Sequence, residues 1–337
     1  MPKTVRMADI AQKVGVSTVT VSKALADKDG VSDEIRAKIK ETAQQMGYQQ
    51  NVGPRHVRQS GTGNIGILVS ACFVDDNSKS FYWQMYEKVV NRLFINDYYG
   101  ILELLSDEME QNLTLPRVLQ ENKIDGLIVL GKLSAEYCRT LQGKTQVPTV
   151  FLDTYDSCGS GYSVISDGYY GMYIVTNYLL KMGHRDIHFV GTINATSSIA
   201  DRYYGYCRAM SEQGITVTPE MVLPDRHESG NISFTLPESL PTAFVCNCDL
   251  TAYELINQLK GRGLHVPDDI SVAGFDNYCL TGIFMPEITT YAVDMGGMAR
   301  ACVEGMLHQI RHKHKMTGMK IVSGHLIVRD SVKKLEP

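Results

Sequence analysis

The sequence predicts two architectures in one chain: an all-α helix-turn-helix headpiece, then an α/β core built on parallel sheets. Three observations carry this. Residues 5–25, VRMADIAQKVGVSTVTVSKAL, hold two short helical patterns around a Gly-Val-Ser turn. Residues 49–63, QQNVGPRHVRQSGTG, break all periodicity and read as a linker. From residue 64 onward, apolar runs of strand length alternate with helix-length segments, as expected for parallel strands joined by crossover helices.

In the first helix, Met7, Ile10, Ala11 and Val14 fall on one face at helical spacing. Gly15 can take the left-handed conformation that ends a helix, and Ser17 is a good N-cap for the next. Val16 and Val21 occupy the two positions of a hydrophobic staple, which sets the angle of chain entry. Val21, Ala24 and Leu25 point back at the first helix, leaving Thr18, Val19, Ser22 and Lys23 outside. A small, polar face with one cation suits a DNA major groove, although a plain helical hairpin has the same core pattern. Ser32 is placed to cap a third helix, with Asp33 and Glu34 in its first turn, where the helix dipole favours acids. Ile35, Ile39, Ala43 and Met46 form its buried stripe and Gly47 ends it.

Composition bounds the rest. The 337 residues are 44% hydrophobic and 21% charged, ordinary for a globular chain with two or three structural units. No apolar run reaches membrane-spanning length and no signal-peptide core stands at the N-terminus, so a cytoplasmic location is expected. Eight scattered cysteines are then expected as reduced thiols. Residues 1–60 carry ten Lys/Arg against six Asp/Glu, whereas the remainder carries twenty-three against thirty-one. A basic head on an acidic body fits a nucleic-acid-binding head joined to a body with another task.

The buried strands are read at 65–71, 100–106, 126–131, 149–153, 187–191, 243–247 and 270–276. Helices separate them, for example at 83–96, 169–182, 202–213 and 251–262. Parallel sheets bind ligands at the carboxyl ends of their strands, where Asp153, Cys248 and Asp276 fall. Each of these also fits an ordinary cap or turn. Several motifs are set aside. Gly61-Thr-Gly63-Asn-Ile-Gly66 matches a dinucleotide fingerprint, but it follows a linker and enters a strand instead of opening a helix. Glu304, His308 and His312 share a helix face without an H-E-x-x-H or a nearby Cys pair, and read as a solvated helix end. Cys246 and Cys248, two apart in sequence, are not read as a metal pair. No nucleophile elbow, triad or phosphate loop is present, so no catalytic residue, cofactor or metal is expected.

The ungapped stretch MADIAQKVGVSTVTVSKALADKDGVSDEIRAKIKETAQQMGY resembles the headpiece of the lactose-repressor/galactose-repressor (LacI/GalR) family of bacterial transcription factors. VPTVFLDT, YLLKMGHRDIHFVG, ADRYYGY, GRGLHVPDDISVAGFDN and HLIVRDSV extend the likeness through the family's effector-binding core. The resemblance implies a two-lobed, periplasmic-binding-protein type I-like core whose chain crosses between lobes near 164, 292 and 322. The expected domains are a headpiece at 1–50, a hinge at 51–63, an N-terminal lobe at 64–164 with 293–321, and a C-terminal lobe at 165–292 with 322–337. It also implies DNA contacts by Thr4, Ser17, Thr18, Val19, Thr20, Ser22, Lys23, Asn51, Arg55, Val57 and Arg58. Thr18, Val19 and Lys23 match base-reading positions, Arg55 and Arg58 phosphate contacts, and Val57 an apolar minor-groove wedge. Lys23 replaces a more usual arginine, so bidentate reading is lost, and Gly53-Pro54 departs from the family's hinge.

In the core, Asp153, Arg202 and Asp276 match sugar-contacting positions, while Cys248 stands where the family usually has Asn. Phe81, Tyr82 and Trp83 replace an Asn-Pro-Phe-Phe segment and fit either an aromatic wall for a sugar ring or lobe core. Met295 stands where a stacking aromatic is sometimes found. The implied function is a homodimeric, ligand-controlled repressor of a pseudo-palindromic operator, with a sugar as the commonest effector. A nucleobase or a phosphorylated protein are the alternatives. A sugar-binding transport component is the rival reading, and the missing leucine tail argues against a tetramer.

Overall fold

A computed structural model describes residues 5–25, 28–46, 48, 61–73, 81–156, 159–226, 232–277 and 287–336. The chain divides into two compact units, Met1–Gln59 and Ser60–Pro337.

The first unit contains α1 (Met7–Val14), α2 (Thr18–Leu25) and α3 (Asp33–Gln45). Arg6 and Asp9 exchange backbone and side-chain bonds in a capping box, and Gly15 closes α1 at φ 79°. The Ser17 hydroxyl accepts from the Thr20 amide at 3.1 Å, starting α2. Ile10, Ala11, Val21, Ala24, Leu25, Ile39 and Ala43 form the core, with Val16, Ile35, Met46 and Tyr48 packed around it. One expectation changes: Ser32 holds N-cap backbone geometry, but its side chain makes no cap bond. The acids of the first turn remain to satisfy the helix dipole. Gly47 lies outside the described residues.

The second unit contains β1 (Asn64–Ser70), α4 (Phe81–Ile95), β2 (Tyr99–Leu105), α5 (Asp107–Gln111), α6 (Arg117–Gln120), β3 (Gly126–Leu130), α7 (Ala135–Lys144), β4 (Thr149–Leu152) and β5 (Tyr162–Ser166). There follow α8 (Gly168–Lys181), β6 (Ile187–Val190), α9 (Ser197–Glu212), β7 (Val222–Leu223), β8 (Ala243–Cys246), α10 (Asp249–Gly261), β9 (Ser271–Asp276) and β10 (Thr289–Ala292). The chain ends through α11 (Met295–His312), β11 (Gly318–Val322) and β12 (His325–Ile327). Two six-stranded sheets result, ordered β11-β5-β4-β3-β1-β2 and β12-β10-β9-β8-β6-β7. Only the β10–β12 pair is antiparallel. Each sheet belongs to one lobe. The chain leaves the first lobe after β5, returns after β10 and leaves again after β11.

The crossing expected near 164 follows Ser166, because β5 stays with the first sheet that far, and the one expected near 322 follows Val322, the last residue paired with β5. Cys248 is also displaced: β8 ends at Cys246, and Cys248 is the N-cap of α10 and not a strand residue. Gly61–Gly66 enters β1, and its loop amides are already engaged. Thr62 and Gly63 donate to the Asp125 carboxylate at 2.6 and 2.7 Å, the bonds a phosphate would need.

Strands and helices bury opposite faces of each sheet. In the first lobe, α4 and α11 cover one face through Met85, Val89, Leu93, Met298, Cys302 and Met306. In the second, α8 and α9 pack on Phe189, Val245 and Phe275. The α8–α9 contact depends on Gly205, where an added Cβ would lie 2.0 Å from the Tyr169 carbonyl oxygen. Backbone cannot yield as a side chain can, so Gly205→Ala should force the helices apart. A loss of about 1–3 kcal/mol in chemical denaturation is expected, and an unchanged midpoint would exclude this packing.

Candidate functional site

The headpiece presents one open face. Thr18, Val19, Ser22 and Lys23 are exposed while the other side of α2 is buried. Val19 is 63% exposed, unusual for a valine that could have turned inward. Ser17 and Thr20 bond each other at 2.9 Å at the start of α2. Thr4, Asn51, Arg55, Val57 and Arg58 lie outside the described residues.

In the second unit, the polar residues gather at the carboxyl ends of both sheets. Asp153 follows β4, Cys248 follows β8 and Asp276 ends β9. Asp153 and Asp276 both have positive φ, 58° and 98°. Such a conformation strains a non-glycine residue and persists where its surroundings hold it. Asp153, Arg202 and Asp276 are each about 95% buried. Arg202, on α9, donates from Nη2 to Asp276 Oδ1 at 2.8 Å and from Nη1 to the Asn247 carbonyl at 2.6 Å. Its guanidinium lies 4.1 Å from the centroid of the Phe275 ring. From the other lobe, the Tyr82 hydroxyl donates to Asp153 Oδ2 at 3.2 Å. Asp153 Oδ1 and Arg202 Nε are among the buried side-chain atoms that make no hydrogen bond among the described residues.

Burial raises the Asp153 carboxyl to about 7, with Asp276 and Asp201 adding to the rise and Arg202 and Tyr82 opposing it. Burial also raises Asp276, against the pull of Arg202. The same cause, reinforced by Asp153, lifts the Tyr82 hydroxyl well above the usual phenol range. The tyrosine therefore remains the donor.

The expected aromatic trio does not converge on this cleft. Successive residues on a helix point about 100° apart, so only Tyr82 reaches Asp153. Phe81 packs edge-on to Tyr82 with centroids 5.4 Å apart, and Trp83 pairs with Tyr86 at 5.3 Å. Met295, the first residue of α11, is 94% buried in the core of the first lobe. The Cys248 thiol sits 3.3 Å from Thr251 Oγ1 and 3.9 Å from Arg226 Nη2, and burial raises it.

Sequence reasoning missed the network beside Cys248. Asp225, fully buried, accepts from Arg226 Nε and Nη2, Asn247 Nδ2, Thr251 Oγ1 and the Thr192 amide. Burial opposes its charge, and these donors overcome that and hold the carboxyl down at about 2. It also missed three bonds across the cleft. Lys132 donates to the Asn194 and Ala195 carbonyls at 2.9 and 3.0 Å, and the Tyr155 hydroxyl donates to Asp201 Oδ2. Lys132 and Tyr155 follow β3 and β4, so the strand-end rule that found Asp153 could have found them.

These bonds tie the lobes together, and removing them should loosen the closed form. Lys132→Met with Tyr155→Phe should enlarge the radius of gyration in small-angle scattering. At about 1 kcal/mol for each of the three bonds lost, the closed-to-open ratio should fall by about a hundredfold. No change in the scattering curve would assign these bonds no part in closure.

Elsewhere, His308 and His312 stack with centroids 4.5 Å apart, while Glu304 bonds Arg92 on α4 at 2.8 Å. Among the described residues no group of three His, Cys, Asp or Glu is arranged to hold a metal. Nor is any of their helices long and apolar enough to cross a membrane.

A helix-turn-helix unit joined to a two-lobed α/β core defines a class: DNA-binding regulators built on a periplasmic-binding-protein-like domain. Residues 6–51 match the profile described as bacterial regulatory proteins, lacI family. Residues 176–332 match that of the periplasmic binding protein-like domain. The HTH-type transcriptional regulator RegA of Clostridium saccharobutylicum is 33% identical over 333 residues, covering 96% of this chain and 98% of the relative. The HTH-type transcriptional repressor PurR of Vibrio campbellii is 28% identical, covering 97% and 98%. Among solved structures, the Lac repressor dimer bound to operator and the anti-inducer ONPF superposes with a TM-score of 0.72 at 20% identity, covering 98% of this chain and all of that one. The regulator CelR in complex with cellobiose gives 0.68 at 20% identity, covering 97% and 99%. The chain belongs to the LacI family of bacterial transcriptional regulators.

Proposed function

We propose that this regulator represses transcription as a homodimer on a pseudo-palindromic operator, under the control of a small ligand, a sugar or sugar derivative, held between its lobes. The observation that carries the ligand reading is the pair of buried atoms lacking hydrogen bonds, Asp153 Oδ1 and Arg202 Nε. One comes from each lobe, and a buried polar atom without a partner is costly unless something binds it. Two relatives by fold are described with cellobiose and with ribose bound, which supports a sugar. Asp153, Arg202 and Asp276 hydrogen-bond the ligand and Tyr82 lines it. Phe81 and Met295 act from the lobe core, Trp83 from beside Tyr86, and Cys248 offers only weak polarity on its side.

On DNA, Thr18, Val19 and Lys23 read base edges, with Ser17, Thr20 and Ser22 beside them. The exposed valine fits a thymine methyl, and Lys23 suits guanine N7 or O6. Thr4 and Asn51 lie on the backbone, Arg55 and Arg58 hold phosphates, and Val57 wedges into the minor groove. Ligand favours one arrangement of the lobes and thereby the spacing of the two headpieces.

Mobility shift on fragments of the upstream region of its own gene tests this. Lys23→Ala should weaken operator binding by about 1–3 kcal/mol, tenfold or more, with ligand binding unchanged. Failure of the wild type to shift any fragment would sink the operator reading.

A further inference from the structure

The charge balance in the cleft is uneven. Arg202 is matched by Asp276 at 2.8 Å, and Arg226 by Asp225 at 2.7 Å. Both pairs are carboxylate-neutralised guanidinium groups. Among the described residues no cation is bonded to Asp153: one oxygen accepts from the Tyr82 hydroxyl and the other from nothing. Lys132, which follows β3, directs its ammonium to the Asn194 and Ala195 carbonyls. The groups acting on Asp153 are Tyr82 from α4, Asp201 and Arg202 from α9, and Asp276 from β9. Asp201 is itself bonded by Tyr155. A buried carboxylate with no counter-ion is costly, and such a group keeps its proton until a better donor arrives.

We propose that the Asp153 subsite takes a hydroxyl donor of a neutral polyol in exchange for a proton, so that effector binding releases up to one proton for each cleft, the full proton on the acid side of neutrality. This deepens the ligand reading above and rests on it. The proton leaves the Asp153 carboxyl for solvent, and the ligand hydroxyl then donates to the carboxylate; no bond in the ligand is made or broken. An anionic ligand, such as a sugar phosphate, is disfavoured because both guanidinium groups are already neutralised. The near-neutral value of the Asp153 carboxyl agrees with the exchange. With the site poised at about 7, affinity for a neutral sugar should rise about tenfold from pH 6 to pH 8.

The test has two parts, both on the full chain. Aspartate labelled with 13C at the side-chain carboxyl is titrated by NMR, with Asp153→Asn assigning the resonance. A midpoint near neutrality is expected, and a midpoint in the ordinary carboxylate range would overturn the exchange whether or not the chain binds DNA. A thermal-shift panel of neutral sugars, with D-ribose and cellobiose included, is then set against the same monosaccharides as phosphates. A neutral hit should give proton release in calorimetry across buffers of different ionisation enthalpy, and Asp153→Asn should abolish that release. Stabilisation by the phosphates alone, by no sugar at all, or by a neutral sugar without proton release would each overturn the proposal. Operator binding, read separately by mobility shift, reports on the regulator itself.

Discussion

Asp153→Asn is expected to make the protein more stable than wild type at pH 8, with the advantage disappearing toward pH 4. The Asp153 carboxyl lies at about 7 in the fold against an ordinary 3.8. A raised carboxyl favours the folded state while it keeps its proton. That contribution is fully present below the ordinary value and is lost as pH rises through 7. The gap between the two values corresponds to a loss of about 4 kcal/mol at pH 8. Asparagine never ionises, so it avoids this loss. It also tolerates the left-handed backbone at φ 58° and can still accept from Tyr82. Thermal melts of both proteins from pH 4 to 8 decide it, and parallel profiles would show that Asp153 ionises in the fold as it does in water.

The second large effect concerns Arg202. Arg202→Ala leaves Asp276 buried without its ion-pair partner and the Asn247 carbonyl without its donor. Breaking one half of a buried ion pair costs about 3–5 kcal/mol, whereas replacing both halves can be neutral. Arg202→Met combined with Asp276→Asn should therefore recover much of the stability lost in Arg202→Ala. It should not recover effector binding, because the donors aimed at the ligand are gone. Denaturant unfolding and ligand titration on the three proteins separate the two roles. Recovery of ligand binding in the double variant would move the pocket away from these residues.

Much of the fold was legible from local pattern. The headpiece helices follow a 3.6-residue period, and Val21, Ala24 and Leu25 are buried as that period requires. The central strands are continuous apolar runs, and seven of them were placed within a residue or two. The strands that escaped notice did so for different physical reasons. Four of the five residues of β11 are exposed, because it is an edge strand with little to bury. β10 is buried but reads Thr-Thr-Tyr-Ala, with no apolar run to mark it. β5 and β12 are short and lie beside the lobe crossings, where the chain changes sheets.

The cleft was legible only as candidates. Strand-end position pointed to Asp153 and Asp276, and the LacI resemblance added Arg202. Which atoms meet was settled by contacts far apart in sequence: Tyr82 reaches Asp153 across 71 residues, and Arg202 reaches Asp276 across 74. The five-donor network on Asp225 had no periodic signal at all, since a buried carboxylate is stabilised by whatever donors the fold brings to it. The sequence by itself determined the element types, the buried faces and the two-part architecture, because burial period is a local property of the chain. Only the tertiary structure decided that Asp153 is the one carboxylate of these three cleft acids, with Asp225 and Asp276, that has no guanidinium partner, because charge pairing is a property of distances between distant residues.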